Sequence, residues 1–372
     1  MPVIEAKHYN RDGTAWSILA SYQRFWRSRE AFSTDLTSLE TAPLDATAQD
    51  TTSMHSFQTR GSGSIWKQGS WDLQVGWDVN HQTFASKRME SGTKSITDAA
   101  LFTQAQWESD NIKWKFGLRK AYNSRFGAPF LPSALGLWKN GAQRMRLSYA
   151  KGFRAPSLKE LYFRFVDINH SLYGNENLAP ETSHFGQLDW SWAQEKFEVS
   201  SQLFTNFIQD QIGLIDQQDG TFRYQNFAQF QAQGIKVNAD FRSERWIIGG
   251  ASSVLNSQQK ADATSAAFPR FTSLECSSRI EWKAHTTFSM GASLRWIGPT
   301  QRVVSSNFES IQQQQTDAYS WLDAHVQWKS PSQRWQVTAT AKNLTNVTSI
   351  ASLANNAAHA SSSTLLSWGR SF

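Results

Sequence analysis

Apolar and polar residues alternate with a period of two along most of the 372-residue chain. From Trp71 the odd positions read Trp71, Leu73, Val75, Trp77 and Val79, against Asp72, Gln74, Gly76, Asp78 and Asn80. From Ile112 the even positions are Ile112, Trp114, Phe116 and Leu118, against Lys113, Lys115, Gly117 and Arg119. The same alternation returns at 197–203, 235–241, 288–296, 322–329 and 335–342. It predicts about sixteen strands, near 14–28, 53–66, 71–85, 97–108, 112–122, 129–138, 142–153, 183–192, 197–212, 232–242, 246–256, 270–283, 286–297, 318–329, 334–344 and 362–372.

The predicted connections alternate in length. Short ones such as Gln68-Gly69-Ser70, Ser109-Asp110-Asn111 and Lys139-Asn140-Gly141 have hairpin-turn chemistry. Between them lie longer ones, at 29–52, 86–96, 123–128, 154–182, 213–231, 257–269, 298–317 and 345–361. Antiparallel neighbours joined this way place every short turn at one end and every long loop at the other. A soluble sandwich has no reason for that asymmetry, whereas an outer-membrane barrel is built with it. The expected fold is therefore all-β, a transmembrane antiparallel up-and-down β-barrel over residues 1–372, with no separate domain or linker.

Composition sharpens this picture. The chain holds 17 Trp, yet its mean hydropathy is −0.51. A barrel with lipid on one strand face and water on the other tolerates a polar mean. Trp66, Trp71, Trp107, Trp114, Trp138, Trp192, Trp246, Trp282, Trp328 and Trp335 fall near strand ends, many beside the short turns, where an interfacial girdle is expected. No segment is long and apolar enough for a membrane-spanning helix. The start, MPVIEAKHYN, does not read as a signal peptide. A net charge of +6, without blocks of like charge, gives no reason to expect a nucleic-acid partner. The single Cys276 excludes an internal disulfide and reads as a small strand residue.

One stretch breaks the alternation: RLSYAKGFRAPSLKELYFRFVDINHSLYGNENLAPE. Pro156 lacks a ladder donor and ends a strand. Ser157 and Glu160 form a capping-box pattern opening a short helix from Leu158 to Phe163, and a strand resumes at Thr182. The connection falls on the long-loop side.

This stretch resembles the barrel signature of TonB-dependent outer-membrane receptors. The matching residues are Tyr149, Gly152, Phe153, Arg154, Ala155, Pro156, Leu158, Glu160, Leu161, Tyr162, Gly174, Asn175, Leu178, Pro180 and Glu181. Lys342-Asn343-Leu344-Thr345-Asn346 is a second, shorter match near the penultimate strand end. The resemblance implies a 22-stranded barrel plugged by an N-terminal domain, so about 16 of 22 strands are expected here, with the plug and TonB box absent. It implies residence in the outer membrane, with lipid around the barrel. It also implies a small-molecule ligand at the outer face, an iron chelate or cobalamin, and coupling to the TonB complex only through the missing plug. Arg154, Tyr162, Asn169, Tyr173 and Asn175 lie in the outer connection and are the candidate ligand-binding residues.

No catalytic or metal-binding signature is present, so neither an enzyme nor a cofactor is expected. The eight histidines show no ligand spacing. Two alternatives stay open: a self-contained sixteen-stranded passive channel, and a soluble all-β module whose tryptophans stack on sugars. Thr364, Leu366, Trp368 and Phe372 share a face of the last strand, which Arg370 interrupts.

Overall fold

The computed structural model describes residues 2–10, 14–44, 49–89, 92–166, 171–216, 220–262, 264, 266–306, 310–350, 358–359 and 363–370. The strands, in chain order, begin with β1 Val3–Tyr9, β2 Ala15–Arg29, β3 Phe32–Thr34, β4 Thr41–Pro43, β5 Asp50–Gln68 and β6 Trp71–Ser86. Next come β7 Thr93–Glu108, β8 Ile112–Asn123, β9 Phe130–Asn140 and β10 Gln143–Arg154. Helix α1 is Leu158–Tyr162, and β11 Arg164–Val166 and β12 Ser171–Tyr173 follow it. Then come β13 Glu181–Gln194, β14 Phe197–Asp216, β15 Thr221–Arg242, β16 Trp246–Lys260, β17 Phe271–His285 and β18 Phe288–Ile297. The chain closes with β19 Thr300–Ser306, β20 Ser310–Thr316, β21 Tyr319–Lys329, β22 Trp335–Lys342, β23 Ser349–Ile350, β24 Ala358–His359 and β25 Ser363–Arg370. One large sheet contains twenty-one of these strands.

All sixteen expected strands are present. β1 is an additional one, at the segment where no strand was expected; its alternation is short, with Ile4, Ala6 and His8 against Glu5 and Lys7. The expected loop at 213–231 is instead the upper part of a hairpin, since β14 runs to Asp216 and β15 starts at Thr221. The loops at 29–52 and 298–317 likewise contain the hairpins β3–β4 and β19–β20. Beyond the membrane both faces of a ribbon meet water. Pairing there requires no apolar alternation, so the sequence pattern fades while the ladder continues. Residues 371–372 lie outside the described residues.

The chain forms two compact units, Met1–Gly136 with Tyr149–His184 and Ile208–Ala228, and Leu137–Ser148 with Phe185–Phe207 and Gln229–Phe372. In the first unit, β1, β2, β5, β6, β7 and β8 pair in succession, all antiparallel. The apolar residues share one face and stay uncovered: Leu101 is 70% exposed, Trp71 44% and Phe116 49%. Trp71, Trp107 and Trp114 stand in register beside the short turns. Three glycines on this face receive indoles from other strands. Trp16 lies over Gly63, Trp77 over Gly61 and Trp114 over Gly136, and a Cβ at any of them would overlap the ring. On the opposite face Asp78 lies 3.3 Å from Arg60 and 3.8 Å from Arg119.

The second unit repeats the plan. The Gln229–Arg242 part of β15 pairs with β16, and β17, β18, β21, β22 and β25 follow in antiparallel order. Trp246 stacks on Trp282 with ring centres 5.7 Å apart, and Phe288 stands opposite Trp328. Trp328 and Trp335 are 44% and 46% exposed. The other face is polar, with Arg279 on Asp240 at 2.7 Å and Arg295 on Glu275 at 2.7 Å. Gly249 stands between Asp240 and Arg279 in register; a Cβ there would sit 2.7 Å from the Asp240 carboxylate.

A water-soluble sandwich buries its apolar face, because burial is worth about 25 cal/mol per Å². Here that face is left bare in both units while the polar face carries ion pairs. This is the inverse pattern, and it suits strands whose apolar side meets hydrocarbon.

Candidate functional site

The connection between Arg154 and Glu181 lies wholly in the first unit and has its own internal architecture. Pro156 is fully buried and ends β10. Ser157 caps α1: its hydroxyl accepts from the Glu160 N–H at 3.2 Å, and the Glu160 carboxylate accepts from the Ser157 N–H at 2.8 Å. The capping box read from sequence is therefore formed, and α1 ends one residue earlier than expected, with Phe163 as its C-cap. Leu158, Leu161 and Leu178 are buried and seat the segment.

Arg154 holds both ends of the connection. Its Nε and Nη2 donate to the two Glu181 carboxylate oxygens at 2.9 and 2.6 Å. Its Nη1 donates to Glu160 at 2.9 and 3.0 Å. Glu181 also accepts the Ile212 N–H from β14 at 2.7 Å. Burial alone would raise the Glu160 carboxyl. The Ser157 N–H, the Arg154 guanidinium and the Ser157 hydroxyl outweigh it and hold the group below the usual carboxylate range.

Gly174 and Asn175 close the loop on itself. The Gly174 N–H donates to the Phe163 carbonyl at 2.7 Å, and a Cβ at Gly174 would sit 2.8 Å from the Leu161 carbonyl. The Asn175 N–H donates to the Glu160 carbonyl and its Nδ2 to the Tyr224 carbonyl, at 2.8 and 3.0 Å. Asn226 on β15 completes the clamp, donating to the carbonyls of Ala179 and Asp210 and accepting the Ala179 N–H. Asp210 adopts a left-handed backbone at this point, with φ 55.

Two tyrosines lie against cations. Arg125 donates to the Tyr162 hydroxyl, and the Lys94 ammonium lies 4.6 Å from the Tyr162 ring centre. Tyr173 has the Arg164 and Arg223 guanidinium carbons 5.6 and 5.3 Å from its ring centre. Such contacts polarise the rings and gather positive charge beside them.

Of the candidate ligand-binding residues, Arg154 and Asn175 are engaged with the loop itself, while Tyr162 and Tyr173 face basic side chains. Asn169 lies outside the described residues. Of the remaining motif residues, Phe153 and Pro180 are half-buried at the two strand ends, and Gly152 leaves room for the Ser183 hydroxyl. Sequence reasoning missed Lys94, Arg125, Arg223 and Asn226. They sit tens of residues away, Lys94 on β7, Arg125 in the turn after β8, and Arg223 and Asn226 on β15, and no local pattern marks them. The second motif also has a local job, in the second unit. Asn343, with φ 54, donates its N–H to Asp323 and ties its side chain to Val347, turning the chain out of β22.

The sequence model of the family described as TonB dependent receptor-like, beta-barrel, matches residues 5–344. The hemoglobin and hemoglobin-haptoglobin-binding protein A of Haemophilus influenzae is 31% identical over 91 residues, which are 24% of this chain and 7% of that protein. The solved siderophore receptor PirA of Acinetobacter baumannii superposes with a TM-score of 0.66 at 15% identity, over 89% of this chain and 56% of its own. The FrpB iron transporter of Neisseria meningitidis superposes with a TM-score of 0.66 at 11% identity, over 98% of this chain and 70% of its own. The match thus covers a small part of that curated relative and about half of the PirA chain.

Proposed function

The chain belongs to the TonB dependent receptor-like β-barrel family, and from that membership we propose that it forms the barrel of an outer-membrane receptor taking up a scarce, anionic iron compound. Both ferric catecholates and haem fit that description. The curated relative is named for binding hemoglobin, and the superposed structures are a siderophore receptor and an iron transporter. Uptake draws energy through TonB by way of a plug domain, which is not part of the strands described here. The protein acts as a carrier and makes or breaks no covalent bond in its cargo.

The observation that carries the ligand class is the pairing of tyrosine faces with cations on the long-loop side. Ferric catecholates and haem present flat conjugated groups and negative charge. Tyr162 and Tyr173 offer stacking faces, and Lys94, Arg125, Arg164 and Arg223 offer the complementary charge. Arg154 keeps the segment in shape so that these faces stay presented.

The test uses the full chain folded in detergent. Quenching of tryptophan fluorescence is followed while a ferric catecholate or haemin is added. Saturable quenching is expected for at least one, weakened in a Tyr173→Ala, Arg125→Ala double variant. Absence of saturable binding, or equal binding by the variant, would remove the ligand assignment. A chain that stays dissolved and monomeric without detergent would remove the membrane assignment as well.

A further inference from the structure

The Tyr173 ring sits in a row that crosses three strands. Register sets Arg164 of β11 opposite Tyr173 of β12, and Tyr173 opposite Arg223 of β15. β11 and β12 hold only three residues each. Ladders of that length order little by themselves. The long strand β15 supports one side of the row. Whatever holds β11 decides whether Arg164 meets the ring.

That hold comes from the residues that follow β6. The Arg164 N–H donates to the Arg88 carbonyl at 2.8 Å, and Met89 bridges to Phe163. The Arg88 guanidinium carbon lies 4.3 Å from the Phe165 ring centre. Phe165 stacks on Phe163, and Phe163 packs edge-on with Phe84 of β6.

A guanidinium this shielded needs an anion beside it. Asp50, buried at the start of β5, supplies one, with Oδ2 3.0 Å from the Arg88 Nε. The carboxylate is itself fixed in place. It accepts from the Ser86 and Thr52 hydroxyls at 3.2 and 3.4 Å, and the Ser86 hydroxyl accepts the Arg88 N–H at 3.1 Å. Arg27 lies further off, at 3.7 Å, with half of its side chain exposed. The buried pair thus ties the ends of β5 and β6 to the ring of Phe165, next in the chain to Arg164.

We propose that Asp50 and Arg88 are positioning residues for the Tyr173 cradle: the pair seats Phe165, and this keeps Arg164 opposite the ring. The role rests on the ligand reading given above, while amide exchange at Arg164 reports the hold on β11 without any ligand. The full chain, folded in detergent, is titrated with haemin and with a ferric catecholate. Tryptophan quenching gives the Kd and the number of sites, and residue-level exchange is followed in parallel.

Asp50→Asn keeps the side chain's size and removes its charge. The Kd is expected to rise about ten-fold, as when the competent arrangement is populated one-tenth of the time, with the number of sites unchanged. Exchange at Arg164 quickens, while the strand amides of β6 and β7 keep their protection. Arg88→Lys gives a similar loss, since an ammonium lacks the planar face that lies on Phe165. Asp50→Asn combined with Phe165→Leu loses no more than either change alone. Asp78→Asn, which takes a carboxylate from Arg60 and Arg119 elsewhere on the polar face, alters neither reading. Fewer sites at constant Kd would make Asp50 a folding residue only and overturn the role. Unchanged exchange at Arg164, full binding by Arg88→Lys, or additive losses in the double variant would overturn it too. A parent chain that binds neither compound, with Arg164 still freed in Asp50→Asn, removes the ligand reading and leaves the hold on β11 standing.

Discussion

Replacing Arg154 by alanine tests whether the outer connection is held by charge. The side chain is 44% exposed, while Glu160 and Glu181 are each 15% exposed. Removing one partner of a fully buried pair costs about 3–5 kcal/mol, and an exposed pair is worth about 0–1 kcal/mol. A fork that binds two shielded carboxylates from a half-exposed position falls between, at about 2 kcal/mol. Both carboxylates keep other donors, from Ser157 and Ile212, which limits the loss. The effect is local, because only the 154–181 segment and its contact with β14 depend on the fork. Amide exchange at Gly174, Asn175 and Ile212 is expected to quicken about thirty-fold, the factor that 2 kcal/mol represents. The strand amides of β6 and β7 keep their protection. Arg154→Lys supplies a point charge without the planar fork and recovers part of the effect. Unchanged exchange at Asn175 and Ile212 in Arg154→Ala would show that the buried leucines and the Asn175 and Asn226 hydrogen bonds hold the loop without the fork.

Acid should loosen the same segment. The folded Glu160 carboxyl sits below the usual range, so its stabilisation is complete above the ordinary carboxylate value of 4.5 and fades as pH falls through its lowered value; the protection factor of the Asn175 amide, its exchange rate divided into the intrinsic rate at each pH, is expected to fall on the acid side, and a factor that stays constant there refutes it. Gly174→Ala places a methyl 2.8 Å from the Leu161 carbonyl and is expected to open the loop to protease while leaving the strands intact, as read by limited proteolysis and circular dichroism. On β14, Leu203→Arg should lower the stability of the vesicle-inserted protein by about 2–4 kcal/mol in urea titration. The adjacent Gln202→Arg, on the opposite face, should change it little, and equal effects would contradict the assignment of faces.

Strands were legible wherever the two faces meet different media. Trp71 to Val79 and Ile112 to Leu118 alternate because one side faces hydrocarbon. The upper parts of β14 and β15, and the small hairpins, escaped notice because water bathes both sides there. In the connection, the Ser157–Glu160 cap was visible because its partners are three residues apart. The cradle around Tyr162 was not, since Lys94 and Arg125 reach it from β7 and from the turn after β8. Arg154 shows the difference between finding a residue and finding its role. Its place in the motif was plain, but its partners Glu160 and Glu181 appear only once the chain folds back.

The sockets at Gly61, Gly63 and Gly136 bear on how the wall is assembled. Sliding β5 by one residue against β2 or β6 would turn Gly61 and Gly63 away from Trp77 and Trp16 and set bulkier neighbours beneath the indoles. Misaligned pairings are thereby penalised within the ladder itself, independently of the loops. Each bare glycine works as a keyhole that only the correctly threaded neighbour can fill.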